Sequence, residues 1–275
     1  MKILCTFPGR HGDLLWALPT VRAIAETLGE QVDFATTEKY GRIASLVHAQ
    51  DYIGGVHVLK TWEVVEGAPM RPVVPQFIPE GYDKVIHLGY PGWPEYALPF
   101  YVEKIGGLQM REIRDMVPID IHRPWIKADK PAKSLSTKVA IGFSDEHFEL
   151  KYGLWCLLTI EKLAPSLGGS WISLMGAPGS RWVTEGGHSE ATWELTAHIL
   201  TNCDIFLGCC SSLHVLACAM GKRVLIMEPN EQRWNPIFYP YGIEDNSRVR
   251  IIRGGDGRPT FDARHVKDSV HALLS

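Results

Sequence analysis

The sequence predicts an α/β fold made of two successive doubly wound halves, each a parallel sheet covered by helices, with a cleft between them. Three observations carry that expectation. Short apolar runs alternate with helical patterns through the first half, and the same alternation restarts at Lys138. Between them, from Pro124 to Lys138, Pro, Lys and Ser replace the apolar periodicity, which marks a linker. A length of 275 residues suits two domains better than one. Their expected bounds are 1–128 and 138–275, with the final helix able to pack back on the first domain.

In the first half, a strand at Lys2 to Thr6 leads to a helix in which Leu14, Leu18, Val21, Ala25 and Leu28 recur at helical spacing. Pro19 interrupts that pattern, so a kink or a helix restarting near Pro19 is expected. Strands follow at Gln31 to Ala35, Gly55 to Lys60 and Asp83 to Leu88, with a short helix at Glu38 to Val47. Two loops are proline-rich: one carries Pro69, Pro72, Pro75 and Pro79, the other runs from Gly89 to Pro94.

The second half opens with a strand at Lys138 to Phe143 and a helix through Trp155, Leu158 and Leu163. Further strands are expected at Trp171 to Met175, Asp204 to Leu207, Arg223 to Met227 and Val249 to Ile252. Helices are expected around Leu195 to Leu200, at Ser212 to Met220, and over Phe261 to Leu274.

Composition narrows the function classes. With 45% hydrophobic and 21% charged residues the chain is an ordinary globular protein, and no stretch approaches the roughly eighteen uninterrupted apolar residues of a membrane span. The short run before Pro8 and Gly9 reads as a first strand rather than a secretion signal. Six cysteines stand without Cys-x-x-Cys or metal-ligand spacing, several inside apolar segments, and read as reduced thiols in a cytoplasmic protein. The net charge of −3 gives no general attraction to nucleic acid. Residues 104 to 138 carry eight Lys/Arg against four Asp/Glu, a local excess that a solvated interdomain surface also explains.

The first strand runs into Gly9-Arg10-His11-Gly12-Asp13-Leu14-Leu15, which sets Asp13 at the mouth of the sheet and the start of a helix. Two roles are open to it. It can take a proton from an acceptor hydroxyl, or it can cap the helix by accepting from orphan amides. The helix dipole stabilises the carboxylate and so lowers its basicity, which weakens the base reading slightly, though an oxocarbenium-like displacement with late proton transfer tolerates it. In the second half, Ser211 and Ser212 follow a strand and open a helix, where backbone amides, hydroxyls and the dipole can hold a diphosphate. An ordinary serine cap is the alternative.

Gly12-Asp13-Leu14-Leu15-Trp16-Ala17-Leu18-Pro19-Thr20-Val21-Arg22-Ala23-Ile24 resembles the opening of the family 9 glycosyltransferases, the heptosyltransferase group. Tyr82-Asp83-Lys84-Val85-Ile86 is similar to the family's Tyr-Asp-x-Val-Ile strand, with His87 standing where an aspartate is common. Glu194 to Leu200 and Cys203 to Gly208 resemble its Glu-Leu-x-Ala-x-Ile helix and Ala-Asp-x-x-Ile-Gly strand. Cys209 to Gly221 is similar to Asn-Asp-Ser-Gly-x-x-His-Leu-Ala-Ala-Ala-Leu-Gly without gaps. Two departures stand out: Cys210 replaces the aspartate, and Val215 takes the histidine position while His214 sits one residue earlier. A shift of one residue turns a helical side chain by about 100 degrees, so His214 is no simple substitute.

The resemblance implies a GT-B fold and an inverting, metal-independent transfer of a sugar from a nucleotide-sugar donor to a hydroxyl acceptor, with Asp13 as general base. It implies a donor side that includes Ser144, Lys151, Gly176, Gly179, Cys210, Ser211, Ser212, His214, Asn230 and Arg233. The implied acceptor side includes Arg10, His11, Gly12, His87, Tyr90 and Trp93. No cofactor or metal is expected, the nucleotide-sugar being a co-substrate, and the sequence holds no Asp-x-Asp motif. The expected partners are that donor and a glycan or lipopolysaccharide-core acceptor, with no integral membrane contact. DNA carrying a hydroxylated modified base is the second acceptor, suggested by the basic 104 to 138 region. A non-catalytic nucleotide-sugar binding module is the remaining reading, suggested by Cys210 and Val215.

Overall fold

The computed structural model describes residues 1–60, 75–88, 120, 123–129, 139–142, 171–174, 192–208, 211–228, 248–253 and 262–275; for 141–142, 171–174, 228 and 253 it describes the backbone alone. The described residues fall into two compact units, one within Met1–Lys127, the other within Ala128–Trp234 and Ile243–Ser275.

The first unit holds a parallel sheet of β1 (Ile3–Thr6), β2 (Val32–Thr37), β3 (Ile53–Leu59) and β4 (Lys84–His87), in the order β3-β2-β1-β4. Every residue of β1 is buried, as expected for a central parallel strand covered on both faces. Helix α1 (His11–Leu28) has every residue from Leu14 to Ala25 buried, so it lies deep in the unit rather than on a half-wet surface. It ends on Gly29, whose φ of 69° closes the last turn with an amide bonded back to Ala25 and Glu26. The segment expected as one short helix is a 3-10 turn at Glu38–Ile43 running into α2 (Ala44–His48).

Helix α1 does not restart at Pro19 but runs through it unbroken. Proline supplies no amide to the carbonyl four residues back, that of Leu15. The indole of Trp125 fills the vacancy: its Nε1–H donates to the Leu15 carbonyl at 2.8 Å, and its ring lies 5.4 Å from that of Trp16. Trp125→Phe keeps most of the packing and removes that donor, so it should destabilise the first unit by about 1–2 kcal/mol, read as a lower urea midpoint by circular dichroism.

Pro124 to Lys127, which composition marks as the start of the linker, is bound into the first unit. Arg22, 5% exposed, donates to the carbonyls of Asp120, Arg123 at 3.2 Å and Pro124 at 2.8 Å. Tyr52 donates to the Trp125 carbonyl at 2.7 Å, and Gln50 accepts from the Lys127 amide at 2.8 Å while donating to its carbonyl at 3.1 Å.

The second unit holds a parallel sheet of β5 (Val139–Gly142), β6 (Trp171–Leu174), β7 (Ile205–Gly208), β8 (Arg223–Glu228) and β9 (Val249–Arg253), in the order β6-β5-β7-β8-β9. Its described helices are α3 (Trp193–Thr201), α4 (Ser212–Ala219) and α5 (Ala263–Leu274). Thr192 caps α3 by accepting from the Leu195 amide at 3.2 Å, and Asp262 caps α5 by accepting from Arg264 at 2.9 Å. Val266, Val270 and Leu273 form the buried stripe of α5, which packs on β7 and β8 of this same sheet.

Candidate functional site

In an open parallel sheet, ligands gather at the carboxyl ends of the strands, where the winding reverses. In the first unit β2 and β3 extend to one side of β1 and β4 lies on the other, so the reversal falls between β1 and β4. The ends of these strands are in register, Thr6 opposite His87. The Phe7 amide donates to the Ala35 carbonyl at 2.9 Å and the Leu88 amide to Thr6 at 2.8 Å, which fixes where the chain leaves both strands.

Helix α1 starts there. Its N-cap is Arg10, extended at φ −63° and ψ 165°, and its side chain gives no capping bond. The first helical hydrogen bond runs from the Leu14 amide to the Arg10 carbonyl at 2.8 Å. Asp13 is therefore not the cap: it is the third residue of the helix, half-buried in the first turn beside the strand reversal, with Gly12 just before it. A carboxylate in a first turn is stabilised by the helix dipole.

The acceptor-side residues divide. Arg10 is exposed at the head of the helix. His11 is taken up by packing: its ring meets Tyr40 edge-on at 5.3 Å and bonds to the Tyr40 backbone. Burial, joined by the nearby Arg42 charge, pushes its pKa down to about 4. His87 closes β4 with Nδ1 2.8 Å from the buried hydroxyl of Thr6, and burial lowers its pKa as well. Both imidazoles are neutral at physiological pH. Tyr90 and Trp93 lie outside the described residues.

The Tyr-Asp pair of the β4 motif works at the opposite, amino end of the sheet. Asp83 accepts from the Lys2 amide at 2.7 Å, and Tyr82 donates to Asp33 Oδ2 at 2.6 Å with His57 Nε2 2.6 Å from its hydroxyl. These bonds clamp β4 to the starts of β1 and β2 and to β3, a structural duty far from Asp13.

In the second unit β6 lies on one side of β5 and β7 on the other, so the reversal falls between β5 and β7. Helix α4 begins just after β7 with Ser211 as its N-cap and Ser212 as its first residue, both half-buried. His214 has become part of the cap: its Nδ1 accepts from the Ser211 amide at 2.8 Å, and the ring is 1% exposed. The Ser211 hydroxyl faces the reciprocal amide of His214; it is buried and has no close hydrogen-bond partner among the described residues. Val215 is buried in the helix packing.

Ser144, Lys151, Gly176, Gly179, Cys210, Asn230 and Arg233 lie outside the described residues. Cys5, Cys203 and Cys218 are buried free thiols, and burial pushes the first and second up to about 12 and the third well above its ordinary value. They are packing residues, not thiolates. Among the described residues no group of three His, Cys, Asp or Glu could hold a metal ion, and no helix is long and apolar enough to cross a membrane.

No family model matches the sequence, and no curated protein does. Solved structures do match. A glycosyl transferase family 9 protein from Veillonella parvula superposes over 99% of this chain and 97% of its own, with TM-score 0.66 at 9% identity. The E. coli ADP-heptose lipopolysaccharide heptosyltransferase II does so over 100% and 98%, with TM-score 0.62 at 14% identity. The chain has the GT-B fold. A Listeria monocytogenes protein described as a UDP-N-acetylglucosamine 2-epimerase also matches, over 100% of this chain and 88% of its own, with TM-score 0.55 at 12% identity. The GT-B frame thus spans nearly the whole sequence, and its chemistry has to be argued from the residues it carries.

Among the sequence-expected residues, the frame brings Arg10, Gly12, Asp13 and His87 to one sheet end, and Ser211, Ser212 and His214 to one helix start. Thr6 is the residue that sequence reasoning missed. Its position at the end of the first strand was legible, but its bond to His87 depends on β1 pairing with a strand some eighty positions away.

Proposed function

We propose that the chain is an inverting, metal-independent glycosyltransferase that moves a sugar from a nucleotide-sugar donor to a hydroxyl of a glycan or lipopolysaccharide-core type acceptor. The observation that carries the reading is the Ser211 hydroxyl, which lies at the head of a helix beside the β5/β7 reversal, facing the His214 amide, and is buried with no close hydrogen-bond partner among the described residues. A phosphate oxygen accepting from that hydroxyl and from the first amides of α4 would satisfy it. The likeness to a family 9 glycosyl transferase and a heptosyltransferase along the whole chain supports a diphosphate-linked sugar as the ligand.

In the reaction proposed, the acceptor oxygen attacks the anomeric carbon and the bond to the diphosphate breaks with its electron pair leaving on phosphate oxygen. Asp13 takes the acceptor proton. Ser211, Ser212 and Lys151 hold the departing diphosphate, with Ser144, Gly176, Gly179, Asn230 and Arg233 completing the donor side and Arg10 and Gly12 beside the acceptor. The DNA-base reading rests on residues 104 to 138, most of which lie outside the described residues, and no structural observation favours it.

The test is thermal stability with a panel of nucleotides and nucleotide sugars that includes ADP, ADP-heptose and UDP-N-acetylglucosamine, followed by chromatography of the products. A bound donor at a hundred times its Kd should stabilise the fold by about 2.7 kcal/mol. Release of free nucleotide marks transfer or hydrolysis; an isomerised nucleotide sugar would mark the epimerase chemistry instead. No shift with any nucleotide sinks the proposal.

A further inference from the structure

The proposed function puts the acceptor on the first unit, and a role for His87 in holding that acceptor rests on that reading. At the β1/β4 reversal the Thr6 side chain is fully buried, and its hydroxyl has one partner among the described residues, Nδ1 of His87 at 2.8 Å. That bond has two possible senses. If Nδ1–H donated, the hydroxyl proton would be buried with no acceptor, at the full desolvation cost of an unsatisfied donor. If the hydroxyl donates, only spare lone pairs go unused, which folded proteins tolerate more readily. The second sense leaves the imidazole hydrogen on Nε2.

His87 is half-buried, and burial lowers its pKa, so the ring keeps a single hydrogen near neutral pH. Nε2 is not among the buried polar atoms that lack a partner, and it makes no hydrogen bond with a described residue. One nitrogen is held from inside the fold and the other has no hydrogen-bond partner among the described residues, at the sheet end where α1 begins.

We propose that His87 is an acceptor-positioning residue, presenting an Nε2–H donor to a hydrogen-bond-accepting oxygen of the acceptor sugar, with its tautomer set by the Thr6 hydroxyl. Asp13 needs a partner of this kind. A carboxylate that accepts a proton does not by itself fix the lone pairs of the same sugar, whereas a rigid N–H on the neighbouring strand does.

The full-length protein labelled with 15N-histidine, studied by long-range proton–nitrogen correlation, tests the proposal, with His87→Gln assigning the resonance. The Nε2–H tautomer is expected near neutral pH, and Thr6→Val should shift it toward a mixture. An Nδ1–H tautomer, a protonated ring, or a tautomer unmoved by Thr6→Val overturns the assignment. With ADP-heptose as donor and p-nitrophenyl glycosides as acceptors, His87→Phe should raise acceptor KM about tenfold, and His87→Gln, which keeps a side-chain N–H, should recover most of the loss. Equal KM in all three proteins overturns the positioning role. Failure of the functional reading shows differently: the wild-type protein would be stabilised by no nucleotide or nucleotide sugar of the panel, whatever the tautomer.

Discussion

Asp13→Asn is expected to lower turnover of the nucleotide-sugar donor by about 10²–10⁴-fold, the range that a positioned general base contributes. Asparagine has the shape of aspartate and fits the third position of α1 equally well, but it cannot take a proton from an attacking hydroxyl. The loss of charge in the first helical turn costs about 0.3–1 kcal/mol, too little to unfold a helix buried from Leu14 to Ala25. ADP affinity, measured by calorimetry, should stay within about twofold, since its proposed ligands belong to the second unit and a contact made only in the transition state leaves ground-state binding intact. Undiminished donor turnover in the Asn variant would remove Asp13 from the chemistry. A parallel loss of ADP binding would mean instead that the substitution disturbs the fold.

The strands were legible because parallel strands covered on both faces must be short continuous apolar runs, and Ile3–Thr6, Ile205–Gly208 and Arg223–Glu228 lie within a residue or two of where such runs place them. The start of α1 was less so. Aspartate is so good a cap that Asp13 reads as one, yet the cap is Arg10, three residues earlier, and the helix starts at His11, since first-turn residues need no intrahelical acceptor for their amides. Asp13 thereby acquires a second explanation of its residue type, the dipole, while staying in the helical turn that follows the strand end.

Pro19 shows the other limit. Its local rule says break, and a tryptophan more than a hundred positions away supplies the missing donor. The same holds for His214, whose neighbours identify a helix start but whose ring conformation decides that it caps Ser211. The Thr6–His87 bond likewise exists only after β1 and β4 pair. Local pattern thus reaches the frame and the address of the site; the roles at that address are assigned by long-range bonds at Leu15 and Thr6 and, at Ser211, by a side-chain conformation within one helical turn.

Arg22→Met should cost the first unit about 3 kcal/mol, the largest stability effect expected of any single change described. Methionine preserves the length and apolar stem of a side chain that is 5% exposed, so the loss measures the guanidinium. Three carbonyls, those of Asp120, Arg123 and Pro124, lose their donor, at about 1 kcal/mol or more each. Two terms pull the other way. A buried cation no longer has to be desolvated, and its repulsion by Arg123 disappears; the same two effects, burial first, lower the Arg22 pKa. The flanking pair of Arg123 with Glu26 remains, as do the bonds of Gln50 and Tyr52 to Lys127 and Trp125, so the strap should loosen at Asp120, Arg123 and Pro124 before it lets go. Because the chain has two units, the measurement is the midpoint of the first urea transition rather than one global free energy. Limited proteolysis should cut near Arg123 in the variant under conditions that spare the wild type. An unchanged midpoint with no new cleavage would show that the guanidinium contributes no more than its desolvation costs, and that Trp125 and Gln50 hold the strap alone.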